Sequence, residues 1–187
     1  MPSVAAIGHC DSISLDAHKW LYQPVDCGCL LFRDREAARR TFSDTGDYVK
    51  ALSQDPIESF AYFDESMELS RRFRALKLWL SLRYHGRKAF RDSIARDLRH
   101  AQLLAEMVQQ EPALELLAPV ALSAVCFRHR SVDNQALLSS ILRRGKVYLS
   151  NATIGRHFAL RACFVNHRTV EADVRSIIEE VMAAAGD

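Results

Sequence analysis

From Leu114 onward the chain runs strand, strand, helix, strand, strand, helix, and that order leaves few ways to fold. Leu114–Leu117 and Ala124–Arg130 read as strands. Asn134 caps a helix to about Arg144, and Gly145 closes it. Strands Tyr148–Thr153 and His157–Phe164 follow, separated by the turn Ile154-Gly155-Arg156. A last helix, Val170 to about Ala184, turns Val174, Ile177, Ile178 and Val181 inward. Two hairpin-linked strand pairs with helices over one face make a small α+β domain with a mainly antiparallel sheet.

The upstream chain is less self-sufficient. A helix expected from Leu69 places Phe73, Leu76, Leu80 and Tyr84 on one face, with Gly86 as its C-cap. A second helix runs from about Lys88 to Gln110 on the stripe Phe90, Ile94, Leu98, Ala101 and Leu104, and Pro112 ends it. Ser43–Glu68 follows neither the helical nor the strand period, and it contains Gly46, Pro56, Tyr48, Phe60, Tyr62 and Phe63. An irregular stretch of that length inside a compact domain is functional or mobile, so it reads as a lid candidate. Before it, Ser12–Leu15 and Cys29–Phe32 read as buried strands, and Asp34 caps a short helix from Arg35 to about Phe42. Met1–Cys10 has no helix or strand signal. Two strands and one short helix cannot cover their own faces and edges. That block therefore pairs with later strands or belongs to a sheet that lies elsewhere.

Composition excludes several classes. Net charge is +2 with both signs interspersed, which gives no footprint for nucleic acid. No apolar run is long enough to span a bilayer, and no signal-peptide pattern opens the chain, so no membrane partner is expected. The five cysteines are an odd number scattered through apolar stretches, the pattern of reduced thiols in a cytoplasmic protein. The hydrophobic fraction of 49% is ample for a packed core. The expectation is a soluble cytoplasmic α/β protein.

Chemistry concentrates after the first strand, in Asp16-Ala17-His18-Lys19-Trp20. A lysine at the end of a buried strand is either snorkelling or used as an amine. With an ordinary lysine pKa of about 10.4, an amine is a poor nucleophile at neutral pH unless its surroundings change that. The alternative is a surface lysine whose neighbours Trp20 and Leu21 anchor a loop. Asp16 could fix the turn by accepting backbone N–H groups. Arg161 lies mid-strand among Phe158, Leu160 and Ala162, and a buried arginine needs an anion. That anion is a substrate carboxylate or an Asp or Glu of the same domain.

The Asp-x-His-Lys-Trp motif resembles the cofactor-lysine motif of the pyridoxal-phosphate-dependent group II amino-acid decarboxylases, the family of aromatic-L-amino-acid decarboxylase. Val25-Asp26-Cys27-Gly28-Cys29-Leu30-Leu31-Phe32-Arg33 looks like the strand that follows the lysine in that family. Leu69 to Trp79, with Arg71-Arg72-Phe73 inside it, is similar to the family's most recognisable helix. Val125–Arg128, Phe158–Cys163 and Asn166–Val170 match the strands and last helix start of its C-terminal domain. The likeness covers nearly the whole chain in order.

The resemblance implies a fold-type-I α/β enzyme segment: residues 1–75 as the end of the large cofactor domain with the mobile loop, and 76–187 as the small C-terminal α+β domain. It implies pyridoxal 5'-phosphate as cofactor and decarboxylation of an L-amino acid, aromatic by the type member, to its amine. It also implies a homodimer with active sites at the interface. By position, Lys19 corresponds to the lysine that carries the cofactor and His18 to a phosphate-contacting histidine. Asp16 stands where some members have asparagine. Tyr62 falls where the family places a loop tyrosine that returns the proton to Cα after carbon dioxide leaves. Phe63 beside it leaves two readings open, a proton donor or a lid aromatic that only packs. The family's ring-nitrogen aspartate and ring-stacking histidine come from upstream of the lysine, and Met1–Asp11 supplies neither. The expectation is a C-terminal segment that alone binds pyridoxal phosphate poorly and is inactive.

Two other classes compete. His9, Cys10, Asp11, His18, Cys27 and Cys29 offer metal ligands, although the Cys27-Gly28-Cys29 spacing is not that of common structural zinc sites. The third reading is a non-catalytic remnant that docks to a full-length decarboxylase through its exposed apolar faces.

Overall fold

A computed structural model of the chain describes residues 5–43 and 62–186. By internal contacts the chain divides into Met1–Leu80 and Ser81–Asp187.

In the first unit, β1 (Ser12–Asp16) and β2 (Gly28–Phe32) pair antiparallel, with Ile13 opposite Leu31 and Leu15 opposite Cys29. The expected burial of these strands is corrected. Leu30 and Leu31 are 56% and 57% exposed, and β1 alternates exposed with half-buried positions. A strand's apolar pattern marks surface that another layer can cover, and among the described residues no third strand joins this sheet. Residues Ala6–His9 form a 3-10 turn although their pattern carries no helical signal. Helix α1 (Arg35–Phe42) starts as expected, with the Asp34 carboxylate accepting the Glu36 N–H at 2.9 Å. The lid candidate Ser43–Glu68 lies outside the described residues over 44–61. Its end carries a 3-10 turn, Tyr62–Glu65, where Arg39 meets Asp64 at 3.5 Å.

Helix α2 (Arg74–Gln110) is interrupted at Gly86, whose φ of 77° and ψ of 157° are not helical. Glycine is needed there because other residues rarely adopt that φ. The helix begins at Arg74 rather than Leu69, and Arg72 and Arg74 both bind the Asp26 carboxylate on a neighbouring loop. The apolar face on Phe73, Leu76, Leu80 and Tyr84 is exposed instead of buried, with Phe73 at 73% and Tyr84 at 85%. Helical spacing made the stripe, but no described residue covers it.

The second unit has a complete core. Strands β3 (Leu114–Leu116), β4 (Ala124–His129), β5 (Ser150–Ile154) and β6 (His157–Cys163) form one antiparallel sheet in the order β3-β4-β6-β5. Alternation along β4 buries Val125, Phe127 and His129 and leaves Cys126 and Arg128 half-buried, so one face is covered and the other is open. The second half of α2, α3 (Asn134–Arg144) and α4 (Glu171–Ala185) supply the covering layer. Leu104 and Val108, Leu137 and Ile141, and Val174 and Val181 pack with Phe127 and Leu160. The cap of α3 is Asp133, which accepts the Gln135 N–H at 2.9 Å, not Asn134. Asn134 instead binds His129 through both its amide atoms, which holds β4 to the helix start. Gly145 closes α3 with φ 70°, as the sequence predicts.

Two buried titratable groups make this unit acid-sensitive. Glu180, buried on α4, accepts from Arg144 Nε at 2.8 Å and Lys146 Nζ at 2.7 Å. Those cations hold its carboxyl below the ordinary value of 4.5. His100 is also buried, and burial pushes its pKa below 6.5. Both groups bind a proton less readily folded than unfolded, so stability is full above pH 6.5 and falls as pH drops, first through His100 and then through Glu180. Thermal melting followed by circular dichroism should show the midpoint declining on acidification from neutral pH. Glu180→Gln should flatten the part of the decline below pH 4.5; identical profiles for the two proteins would contradict it.

Candidate active site

The first unit brings three of the expected site residues into one loop. Strand β1 ends at Asp16, and the fully buried Ala17 anchors the loop that carries His18 and Lys19. The Lys19 N–H donates to the Asp16 carbonyl, the Tyr22 N–H to the Lys19 carbonyl and the Gln23 N–H to the Ala17 carbonyl, each at 3.0 Å. Tyr22 takes a left-handed φ of 53°, which lets the chain turn back within the loop. The loop thus satisfies much of its own backbone.

His18 is fixed by the residue before β2. Its N–H donates to the Cys27 carbonyl at 3.3 Å, and the Cys27 N–H donates to His18 Nδ1 at 3.1 Å. A backbone amide can only donate, so Nδ1 is the acceptor and the neutral ring carries its hydrogen on Nε2. Among the described residues nothing else bonds that ring. A hydrogen-bond donor therefore remains available on His18.

Lys19 lies at the surface, one of the alternatives its sequence setting leaves open. Its side chain is 63% exposed, and its Nζ lies 2.7 Å from Asp16 Oδ2. The setting is a solvated ion pair, since β1 is not buried. Among the described residues the Asp16 carboxylate does not accept backbone N–H groups as expected; the Asp16 carbonyl accepts the Lys19 N–H, and the carboxylate takes the Lys19 ammonium. The hydrogen bond and charge of Lys19 hold the Asp16 carboxyl below its ordinary value. The amine becomes nucleophilic only after it leaves this pair and loses its proton. Asp16→Asn should speed reaction of Lys19 with a phosphorylated aldehyde roughly two- to fivefold, the modest effect of an exposed ion pair. Borohydride trapping and peptide mass mapping measure that rate. A slower rate in the variant would show that Asp16 assists instead of restraining.

Tyr62 begins the 3-10 turn Tyr62–Glu65, and its side chain lies outside the described residues. Arg161 sits in the second unit, on the open face of β6 opposite Cys126 and Ser150. It is half-buried, not buried. Its Nη1 donates to Ser150 Oγ at 3.4 Å, and among the described residues it meets no carboxylate. The metal-module reading is corrected as well. Among the described residues no three His, Cys, Asp or Glu side chains come together to hold an ion, and all five cysteines are free thiols.

Sequence reasoning missed the residues that brace the loop. Asp26 accepts from Arg72 Nη2 at 2.7 Å and from Arg74 Nε at 2.8 Å, and these bonds hold its carboxyl below the ordinary range. Lys77 Nζ donates to the carbonyls of Pro24 and Asp26, both at 2.7 Å. The available signal was a helix start rich in cations with no acidic residue in its first turn. A groove of about 260 Å³ runs along this contact, lined by Phe73, Leu76 and Leu80, and neither Lys19 nor His18 opens onto it.

The donor set suits pyridoxal phosphate in kind. An accessible amine can take the aldehyde, and a neighbouring imidazole N–H can serve a phosphate. Comparison with known proteins agrees with that reading. The family profile for the pyridoxal-dependent decarboxylase conserved domain matches residues 2–130. The aromatic-L-amino-acid decarboxylase of Bacillus atrophaeus is 35% identical over an aligned stretch of 190 positions, gaps included, that covers 96% of this chain and 39% of that protein. The crystal structure of Oryza sativa TDC with PLP and tryptamine superposes with a TM-score of 0.88 at 28% identity, over 98% of this chain and 40% of that one. Catharanthus roseus tryptophan decarboxylase in complex with L-tryptophan gives a TM-score of 0.85 at 29% identity, with the same coverages. This chain spans about two fifths of the length of the relatives it matches. No helix among the described residues is long and apolar enough to cross a membrane.

Proposed function

The chain belongs to the pyridoxal-dependent decarboxylase family, and on that basis we propose that it serves the decarboxylation of an L-amino acid, aromatic by preference, to its amine. Lys19 carries the cofactor in this reading. The observation that supports it most is the Asp16–Lys19 loop, where an accessible amine and an imidazole with a spare N–H stand one residue apart. The aromatic preference rests on the names of the relatives, which act on or hold aromatic amino acids.

When bound, pyridoxal phosphate supplies an electron sink for the carbanion left as the Cα–carboxylate bond breaks. The chain's own residues do the rest. Lys19, once free of Asp16, would hold the cofactor through its neutral amine. His18 would hold the phosphate through Nε2–H, with the Cys27 N–H fixing the other ring nitrogen. Asp16 takes back the lysine ammonium whenever the amine is released. Arg161 pairs its guanidinium with the substrate carboxylate, a role suited to a half-buried cation that meets no carboxylate among the described residues. Tyr62 returns a proton from Oη to Cα. Residues 1–75 end the large cofactor domain and 76–187 form the small domain, working in the cytoplasm as part of a homodimer.

The test is reductive trapping. The protein is incubated with pyridoxal phosphate, reduced with borohydride, digested and mapped by mass spectrometry. Label concentrated on Lys19 supports the reading. Label spread evenly over the lysines overturns it.

A further inference from the structure

We propose that Lys77 and Arg74 are positioning residues for the Lys19 loop, a role that rests on the function proposed above. After Lys19 the chain returns to β2 through Pro24, Val25, Asp26 and Cys27, and this return is held by the start of α2. Lys77 Nζ donates to two of its carbonyls, Pro24 and Asp26, at 2.7 Å each. Arg74 Nε and Arg72 Nη2 bind the two oxygens of the Asp26 carboxylate. Cys27 Sγ donates to the Arg74 carbonyl at 3.8 Å. Cys27 is also the residue that bonds His18 in both directions. Contact therefore runs unbroken from Lys77 and Arg74, through Asp26 and Cys27, to the ring of His18 beside Lys19.

Charge placement argues that this is more than local stabilisation. Arg74 and Lys77 occupy the first turn of α2, the positive end of the helix dipole, and no acidic residue accompanies them there. A helix optimised alone would carry the opposite charge at this end. Cations with local preference against them are explained by what they hold, which is a carboxylate and two carbonyls of the loop. The chemical effect falls on His18. With Cys27 fixed, its N–H keeps Nδ1 occupied and leaves Nε2–H as the donor, aimed in one direction. That is the group proposed to recognise the cofactor phosphate.

The decisive variant is Lys77→Met in the whole chain, with Lys77→Arg as the conservative control. Methionine suits a helix as well as lysine does and removes an unfavourable charge, so the helix itself should melt no earlier. Two readings are taken. Hydrogen exchange at the Cys27 amide reports the bond to His18 directly and needs no cofactor. The second is the rate of reductive trapping at Lys19 with pyridoxal phosphate, divided by the rate with pyridoxal, which lacks the phosphate. In Lys77→Met the Cys27 amide should exchange about tenfold faster or more, as expected for loss of a local hydrogen-bonded unit. The phosphate preference at Lys19 should fall roughly tenfold, the consequence of losing an oriented donor. Lys77→Arg should restore both. Asp26→Asn, which keeps its shape, should move both readings in the same direction and serves if Lys77→Met does not fold.

Unchanged Cys27 exchange in both Lys77→Met and Asp26→Asn overturns the bracing of the loop. A phosphate preference that is present in the wild-type chain and survives in these variants overturns the positioning role alone. A wild-type chain with no phosphate preference at Lys19 overturns the proposed function and this role with it.

Discussion

Replacing Lys19 by alanine should abolish the trapped cofactor adduct and, wherever the reaction is measurable, lower decarboxylation by about a thousandfold or more, since the nucleophile has no substitute. The loop explains why the effect should be confined to chemistry. Lys19 contributes its backbone N–H and carbonyl to the turn, and both survive the substitution. What is lost is one exposed amine and its ion pair with Asp16, and a pair so open to solvent contributes little to folding. Circular dichroism should therefore be unchanged while the reducible adduct disappears. Lys19→Arg makes the sharper control, because it keeps the charge beside Asp16 but cannot form the linkage. An adduct that persists at full yield in either variant would move the cofactor to another lysine.

Truncating Phe127 to alanine should have the largest effect on stability. This ring is fully buried at the centre of the four-stranded sheet, with Leu116 opposite it on β3 and Leu160 on β6. Its removal deletes most of an aromatic side chain and leaves a cavity between sheet and helices that rigid neighbours cannot close. The expected loss is about 3 to 5 kcal/mol, against a total of roughly 5 to 15 kcal/mol for a domain of this kind. In a unit of this size that lowers the thermal midpoint by about 15 to 25 °C. Phe127→Leu, which fills most of the volume, should lose much less. Urea unfolding monitored by circular dichroism measures both. A loss below about 1 kcal/mol for the alanine variant would mean that the core around Phe127 is loosely packed.

The second unit was legible because its elements agree with each other. Strand alternation at Val125 and Phe127, the positive-φ glycine at Gly145 and the helical spacing of Val174, Ile177 and Val181 point to one packing, and the sheet and its helices take that form. Local competition caused the small differences. Asp133 outcompetes Asn134 as the cap because Asn134 is occupied with His129. The helix expected at Leu69 starts at Arg74, beside the contact of Arg72 and Arg74 with Asp26. The second contact joins residues 46 and 48 positions apart, which no local pattern contains.

The first unit shows the limit more clearly. The apolar positions Leu30, Leu31, Phe73, Leu76 and Leu80 were expected to be buried, and all are exposed. A sequence pattern says which face prefers to leave water; whether another layer reaches it depends on the rest of the fold.

Residue order was enough to identify the family, because Asp16-Ala17-His18-Lys19-Trp20 and the motifs that follow it carry characteristic residue types at fixed short spacings. The state of those groups came from folding. It paired Lys19 with Asp16, turned His18 Nε2–H into the available donor by way of Cys27, and braced the loop with Lys77 and Arg74. Hydrogen bonds and ion pairs need atoms within about 3 Å in a fixed direction, and distance in space between residues remote in sequence is set by the folded chain alone.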